Sequence, residues 1–192
     1  LFVILYILRN EIKDFLSFMP SALKKVNNRS NLREEEKIVF LVILASIPTA
    51  IIGLFLEGTI IVTFYDNMHL VGTCLIITGA VIWFSKDYND NLSFDNLSSS
   101  NAFFVGIIQG LSILPGLSRS GLTIAFLRFF GLNPIKAARF SFLIFIPAII
   151  GATFLKINEV SDTIEEVGLF SIILGFSASV ISSFLSIKFL LK

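Results

Sequence analysis

The chain concentrates anion-binding chemistry in one short stretch, Pro115-Gly116-Leu117-Ser118-Arg119-Ser120-Gly121, followed by Thr123. Arg119 is the only charge between positions 102 and 127. A guanidinium stays protonated at any physiological pH, so it is not a titration switch, and its planar fork of donors suits a phosphate or carboxylate. Placing it in an apolar block costs about 3 kcal/mol or more unless it is paired or hydrated. Ser118, Ser120 and Thr123 add hydroxyls, and Gly116 and Gly121 let backbone N–H groups come close. The spacing predicts Ser120 as the N-cap of a helix with Thr123 at its third position. Such a helix would aim unpaired N–H groups and a partial positive charge into the break before it. That is an anion site. Gln109, six residues before Pro115, either hydrogen-bonds across helices or lines the same cavity. The plainer alternative for Ser-Arg-Ser is a polar loop between two short spans.

Other phosphate chemistries lack their residues. There is no Gly-Lys-Ser/Thr loop for a nucleotide. The one histidine, His69, is remote from Arg119 in sequence, and the one cysteine, Cys74, sits in an apolar run. No metal ligands are expected within this sequence, since no Cys/His cluster exists and the acids lie in loops.

The elements that must position these groups are membrane helices. The chain has 192 residues, 55% of them hydrophobic, and a mean hydropathy of +0.86. The apolar excess comes in runs without Asp, Glu, Lys or Arg: 38–56, 68–84, 102–118, 140–155 and 167–187. A run of about 18–20 apolar residues spans the hydrocarbon region as a helix. The expected fold is therefore an all-α polytopic membrane protein, read as a single membrane domain over 1–192. The chain does not begin with Met and opens in an apolar run, 1–8, too short to span. This run is expected to be the end of a helix whose start lies upstream. A net charge of +1 gives no reason to expect a nucleic-acid partner.

Charge distribution predicts the topology. The polar stretch 9–37, read as a solvated loop, carries seven basic residues; 57–67 carries none; 156–166 has one Lys against four acids. Basic loops favour the cytoplasmic side. If 102–130 crossed once, the basic stretch 131–139 would fall outside and the acidic 156–166 inside. If it enters and leaves on one side, the rule holds throughout. Residues 102–130 are thus predicted to form a re-entrant hairpin. Pro115-Gly116 breaks it into half-helices at about 102–114 and 121–130. A non-helical break at membrane depth must be buried in protein or line a wet cavity. Arg128, Lys136 and Arg139 read as interface anchors, and Asn133-Pro134 as a helix boundary.

Gln109-Gly110 followed by Leu114-Pro115-Gly116-Leu117-Ser118-Arg119-Ser120-Gly121 and Thr123 resembles the second signature of the undecaprenyl-diphosphate phosphatases, the bacitracin-resistance family. Phe140-Ser141-Phe142-Leu143 with Pro147 and Gly151-Ala152-Thr153 resembles the following span, and Ile47-Pro48 to Gly53 an earlier one. The likeness runs through essentially the whole chain in order. It implies a multi-pass protein of the bacterial inner membrane that hydrolyses undecaprenyl diphosphate to undecaprenyl phosphate and inorganic phosphate. That reaction recycles the lipid carrier of cell-wall synthesis and confers bacitracin resistance. It implies Ser118, Arg119 and Thr123 as catalytic residues; Gly116, Ser120, Gly121 and Gln109 are expected, from their own chemistry, to bind substrate. Whether Ser118 attacks phosphorus or only binds it stays open. It also implies a divalent cation, magnesium or calcium, whose ligands belong to a first signature upstream of Leu1; this chain alone is then expected to be inactive or nearly so. The expected partners are a polyprenyl diphosphate lipid and the membrane, with a homo-oligomer allowed. The alternative is a transporter or flippase of a phosphorylated lipid or small anion, because broken helices that point their N-termini at an anion also serve transport.

Overall fold

The computed structural model describes residues 3, 9–25, 33–56, 64, 67–86, 94, 97–156 and 167–190. Most of the runs 1–8, 57–67 and 156–166, on which part of the topology argument rests, lie outside these residues. Among these residues, seven α-helices occur in chain order: α1 Arg9–Lys24, α2 Glu34–Leu56, α3 Met68–Phe84, α4 Ser99–Leu111, α5 Arg119–Phe129, α6 Pro134–Lys156 and α7 Leu169–Leu190. Helices α2 and α6, with 23 residues each, and residues 169–186 of α7 are long and apolar enough to cross a membrane. At 1.5 Å per residue, 23 residues reach about 34 Å, against about 30 Å of hydrocarbon. Helix α3, with 17 residues, is shorter. The described fold is all-α and polytopic.

The chain divides into two compact units, Asp14–Ala148 and Leu1–Lys13 with Ile149–Lys192. In the second unit, α7 is exposed along nearly its whole described length, with Phe170, Ile173, Leu174, Phe176, Ile181 and Phe189 all open. An apolar helix that the described residues leave exposed on nearly every side is suited to lipid.

The first unit holds the core, built from Leu41, Val42 and Ala45 of α2, Ala102 and Val105 of α4, Leu127 of α5, and Ala137, Phe140, Leu143 and Ile144 of α6. Helices α2 and α4 meet through small residues. An added Cβ at Gly106 would lie 2.1 Å from the Ala45 carbonyl oxygen, and one at Gly110 2.8 Å from the Ile52 Cβ. The Thr49 hydroxyl bridges the contact, 2.8 Å from the Gly106 carbonyl and 2.9 Å from that of Ala45. Gly106 and Gly110 form a Gly-x-x-x-Gly face, which lets two backbones approach where lipid supplies no hydrophobic drive.

Residues 9–24 and 34–37 of the stretch 9–37 are helical, not the solvated loop expected from its charge. Residues 9–24 form α1. Ile12, Phe15, Leu16 and Met19 recur at helical spacing, and Ala22 is buried. A count of charges does not separate a polar loop from an amphipathic helix, whereas periodicity does. Beyond α1, Glu36 of α2 is fully buried and accepts from the Lys25 ammonium at 2.9 Å through both oxygens. It also accepts from the Arg33 backbone N–H at 3.0 Å and the Arg33 guanidinium at 3.4 Å. A buried carboxylate persists only when paired in this way.

Residues 99–129 fold as two helices around a break, close to the predicted bounds. Helix α4 starts three residues earlier than expected, at Ser99, because Ser98 caps it by accepting from the Asn101 N–H at 3.1 Å. It also ends earlier, at Leu111: Ile113 and Leu114 N–H groups bond three residues back, to Gly110 and Leu111 carbonyls, and Pro115 then stops the chain. Phe104 near the start of α4 packs edge-on against Phe126 and Phe130 at the end of α5, with centroids 5.5 and 6.1 Å apart. The two arms are therefore antiparallel, and the chain enters and leaves at one end. A Schellman motif closes the second arm: Gly131, with φ of 90°, donates to the Arg128 carbonyl and Leu132 to that of Leu127. Asn133 then caps α6 by accepting from the Lys136 N–H, with Pro134 in the first turn. The predicted boundary at Asn133-Pro134 holds.

Candidate active site

The turn of the hairpin is set by its own residues. Leu117 N–H donates to the Leu114 carbonyl at 3.2 Å, enclosing Pro115 and Gly116. Gly116 has φ of 90°. Pro followed by a positive-φ glycine is the type II turn pattern. Helix α3 lies directly on this turn, since a Cβ at Gly116 would sit 2.4 Å from the Val71 carbonyl oxygen.

One side chain of α3 locks the break. The buried Thr78 hydroxyl donates to the Gly116 carbonyl at 3.3 Å and accepts from the Ser118 N–H at 3.2 Å. Non-helical polar backbone is thereby satisfied inside protein. Sequence reasoning gave Thr78 no role, because a lone threonine in an apolar run carries no signal of what it faces. Replacing it with Val keeps the shape and removes both bonds. At about 1 kcal/mol net per bond and more for a buried group left unmade, Thr78→Val is expected to lower stability by about 2 kcal/mol. Thr73→Val, an exposed position on the same helix, is expected to change it little. Equal melting temperatures for the two variants in detergent would show that Thr78 does not hold the break.

The turn also moves the cap. Ser118, not Ser120, is the N-cap of α5: its Oγ accepts from the Gly121 N–H at 3.2 Å, with φ −77° and ψ 107°. The turn ends at Leu117, so Ser118 is the last extended residue and the helix begins two positions earlier than expected. Thr123 accordingly lies beyond the third helical position. Ser118 and Ser120 are exposed, and Gly121 gives the cap room, since a Cβ there would lie 2.9 Å from the Ser118 Oγ. The N–H groups of Arg119 and Ser120 precede any intrahelical partner.

Arg119 is half-buried, and its guanidinium lies over the Phe145 ring of α6, 4.8 Å from the centroid. Planar stacking on an aromatic face suits guanidinium. Both ion pairs seen among the described residues belong to Glu36, and neither involves Arg119. Behind it, Thr123 is fully buried. Its hydroxyl lies 2.8 Å from the Arg119 carbonyl and 3.2 Å from that of Ser120, and it also bonds the Ser141 hydroxyl of α6. Gln109 is buried and donates its amide to the Ile144 carbonyl of α6 at 2.9 Å; its Oε1 has no partner among the described residues. The structure thus gathers Gly116, Ser118, Arg119, Ser120 and Gly121 at the turn, sets Thr123 beneath them, and joins Gln109 to α6. Ser141 and Phe145 were not singled out for a role from sequence, since nothing local marks them as neighbours of the motif.

The donors at the turn are hydroxyls, backbone amides and a guanidinium, which fit an anion. Among the described residues no group of three His, Cys, Asp or Glu side chains could hold a metal ion. The donors of the turn are not cation ligands, and the resemblance places the ligands of the divalent cation upstream of Leu1.

Fold and site together define a multi-pass, all-helical membrane protein with a turn of hydroxyl, amide and guanidinium donors in a broken hairpin. The family described as bacitracin resistance protein BacA matches residues 1–192. An undecaprenyl-diphosphatase of Methanosphaera stadtmanae is 39% identical over 159 residues, which cover 82% of this chain and 56% of that protein. One of Alkaliphilus metalliredigens is 34% identical over an alignment that covers 100% of this chain and 71% of the relative. One of Desulfosudis oleivorans is 43% identical over 121 residues, 62% of this chain and 44% of the relative. The chain belongs to the bacitracin resistance protein BacA family. It spans between 44% and 71% of the length of these curated relatives.

Proposed function

We propose that this chain carries the diphosphate-binding part of an undecaprenyl-diphosphate phosphatase. In this reading the whole protein hydrolyses undecaprenyl diphosphate to undecaprenyl phosphate and inorganic phosphate. It thereby recycles the lipid carrier of cell-wall synthesis in the bacterial cell membrane and protects against bacitracin. The observation that carries the reading is Arg119: a half-buried cation on an aromatic ring, beside a helix N-terminus, outside both ion pairs of the described residues.

The arrangement supplies binding and charge stabilisation. The Arg119 fork takes two phosphate oxygens. The Ser118 oxygen accepts from Gly121, so its proton remains to be donated. Ser118 can therefore donate to phosphate while it caps, and its second lone pair is not used by the cap. Thr123 is a positioning residue, holding the Arg119 and Ser120 carbonyls from inside the hairpin. Water adds to the terminal phosphorus as its bond to the bridging oxygen breaks. Negative charge then grows on the departing inner phosphate, and preorganised donors at the turn stabilise it. None of the groups named at the turn is a carboxylate or imidazole, so in this reading other parts of the protein activate the water.

The test is inorganic phosphate release from a polyprenyl diphosphate in detergent, with this chain carried in its full-length protein. Release dependent on the protein is expected. Binding of the lipid without release under any divalent cation would move the function to transport.

A further inference from the structure

A second group of cations lies at the opposite end of α5 from the turn. Helices α3 and α5 flank a groove of about 450 Å³. Its apolar lining includes Gly79, Ile82, Trp83, Gly121, Ile124 and Ala125. Its polar lining comes from Ser85, Lys86 and Arg128, all at the C-terminal ends of the two helices. Arg128 is held there by donating to the Lys86 carbonyl at 2.9 Å. The exposed Lys86 ammonium lies over the Trp83 ring, 5.7 Å from its centroid. Arg128 is nine residues beyond Arg119, about 14 Å along a helix, so the cations are separate from the turn.

We propose that this groove binds one anionic phospholipid, its phosphate at Lys86 and Arg128 and an acyl chain along Gly79 and Ala125. Two cations at one end of an otherwise apolar trough match a charged headgroup joined to hydrocarbon, and basic pockets between membrane helices on the cytoplasmic side are suited to such headgroups. Trp83, 71% exposed beside them, is the residue type that marks the membrane–water interface. A polyprenyl tail descending from the turn would meet the cations with uncharged hydrocarbon, so it leaves them unexplained. Cations in the last turn also offset the helix dipole. That role needs no groove, and filling the groove separates the two.

The full-length protein is placed in phosphatidylcholine nanodiscs doped with phosphatidylglycerol, and retained lipid is read by native mass spectrometry. One phosphatidylglycerol is expected to stay bound in preference to phosphatidylcholine. Lys86→Gln is expected to weaken retention about fivefold, the equivalent of about 1 kcal/mol per cation near a lipid surface, while Lys86→Arg keeps it. A Cβ at Gly79 meets nothing within 4 Å, so Gly79→Phe fills the trough and is expected to abolish retention with both cations intact. Helical content by circular dichroism checks folding of each variant. Equal retention of the two lipids, or wild-type retention by both Lys86→Gln and Gly79→Phe, would overturn the proposal. So would displacement of phosphatidylglycerol by polyprenyl phosphate, which would make the groove the substrate's tail channel.

Discussion

Arg119→Ala is expected to lower kcat/KM for phosphate release by about 10²–10³-fold, the usual loss when one preorganised donor to a developing anion is removed. The side chain does two things that Ala cannot replace. It brings a permanent positive charge to a position where neither ion pair of the described residues supplies a counter-charge. It also holds its plane on Phe145, which orients the fork before substrate arrives. Arg119→Lys keeps the charge and loses the fork and the stacking, so an intermediate loss of about tenfold is expected. The measurement is steady-state phosphate release by the full-length protein, with the melting temperature recorded for each variant. Arg119 lies at an open turn and holds no described ion pair, so stability is expected to hold while activity falls. A loss under fivefold for Arg119→Ala in a protein that still melts normally would remove Arg119 from the site.

Gly106→Ala is expected to be the most damaging one-methyl change in the membrane core. The new Cβ would stand 2.1 Å from the Ala45 carbonyl oxygen, with the Ala45 carbon and Cα at 2.8 Å. These are backbone atoms and cannot rotate away. Helices α2 and α4 must separate, and the Thr49 bridge to the Gly106 carbonyl breaks with them. Overpacking costs about 1–3 kcal/mol and the lost hydrogen bond about 1 kcal/mol. Together these are a large part of the roughly 5–15 kcal/mol by which a fold is stable. Gly53→Ala, on α2 and with nothing within 4 Å of the new methyl, is the control. It is expected to be neutral or slightly stabilising, because Ala favours helix over Gly. Thermal unfolding in detergent measures both, and similar midpoints would show that the α2–α4 contact is not tight.

The sequence by itself determined whatever depends on local chemistry. Uncharged length placed the spans, because lipid satisfies no backbone group and only a helix of sufficient length is stable there. Pro115-Gly116 placed the break, because one residue lacks the N–H that helix requires and the other adopts the positive φ of the turn. The motif around Arg119 pointed to the family that now matches the whole chain. Charge counting failed over 9–24, where the information lay in periodicity. Inference from spacing also misplaced the α5 cap, because the turn before Ser118 decides which serine is still extended when the helix begins.

Tertiary structure alone decided what touches the motif. Thr78 is 38 residues from Gly116 in sequence and holds both sides of its turn. Phe145 lies beneath Arg119, Ser141 bonds Thr123, and Ala45 demands the absence of a side chain at Gly106. The physical reason is that each residue turns a helix by about 100°. A side chain's partner therefore depends on which faces of two helices meet, and that is set by the close packing of many residues at once.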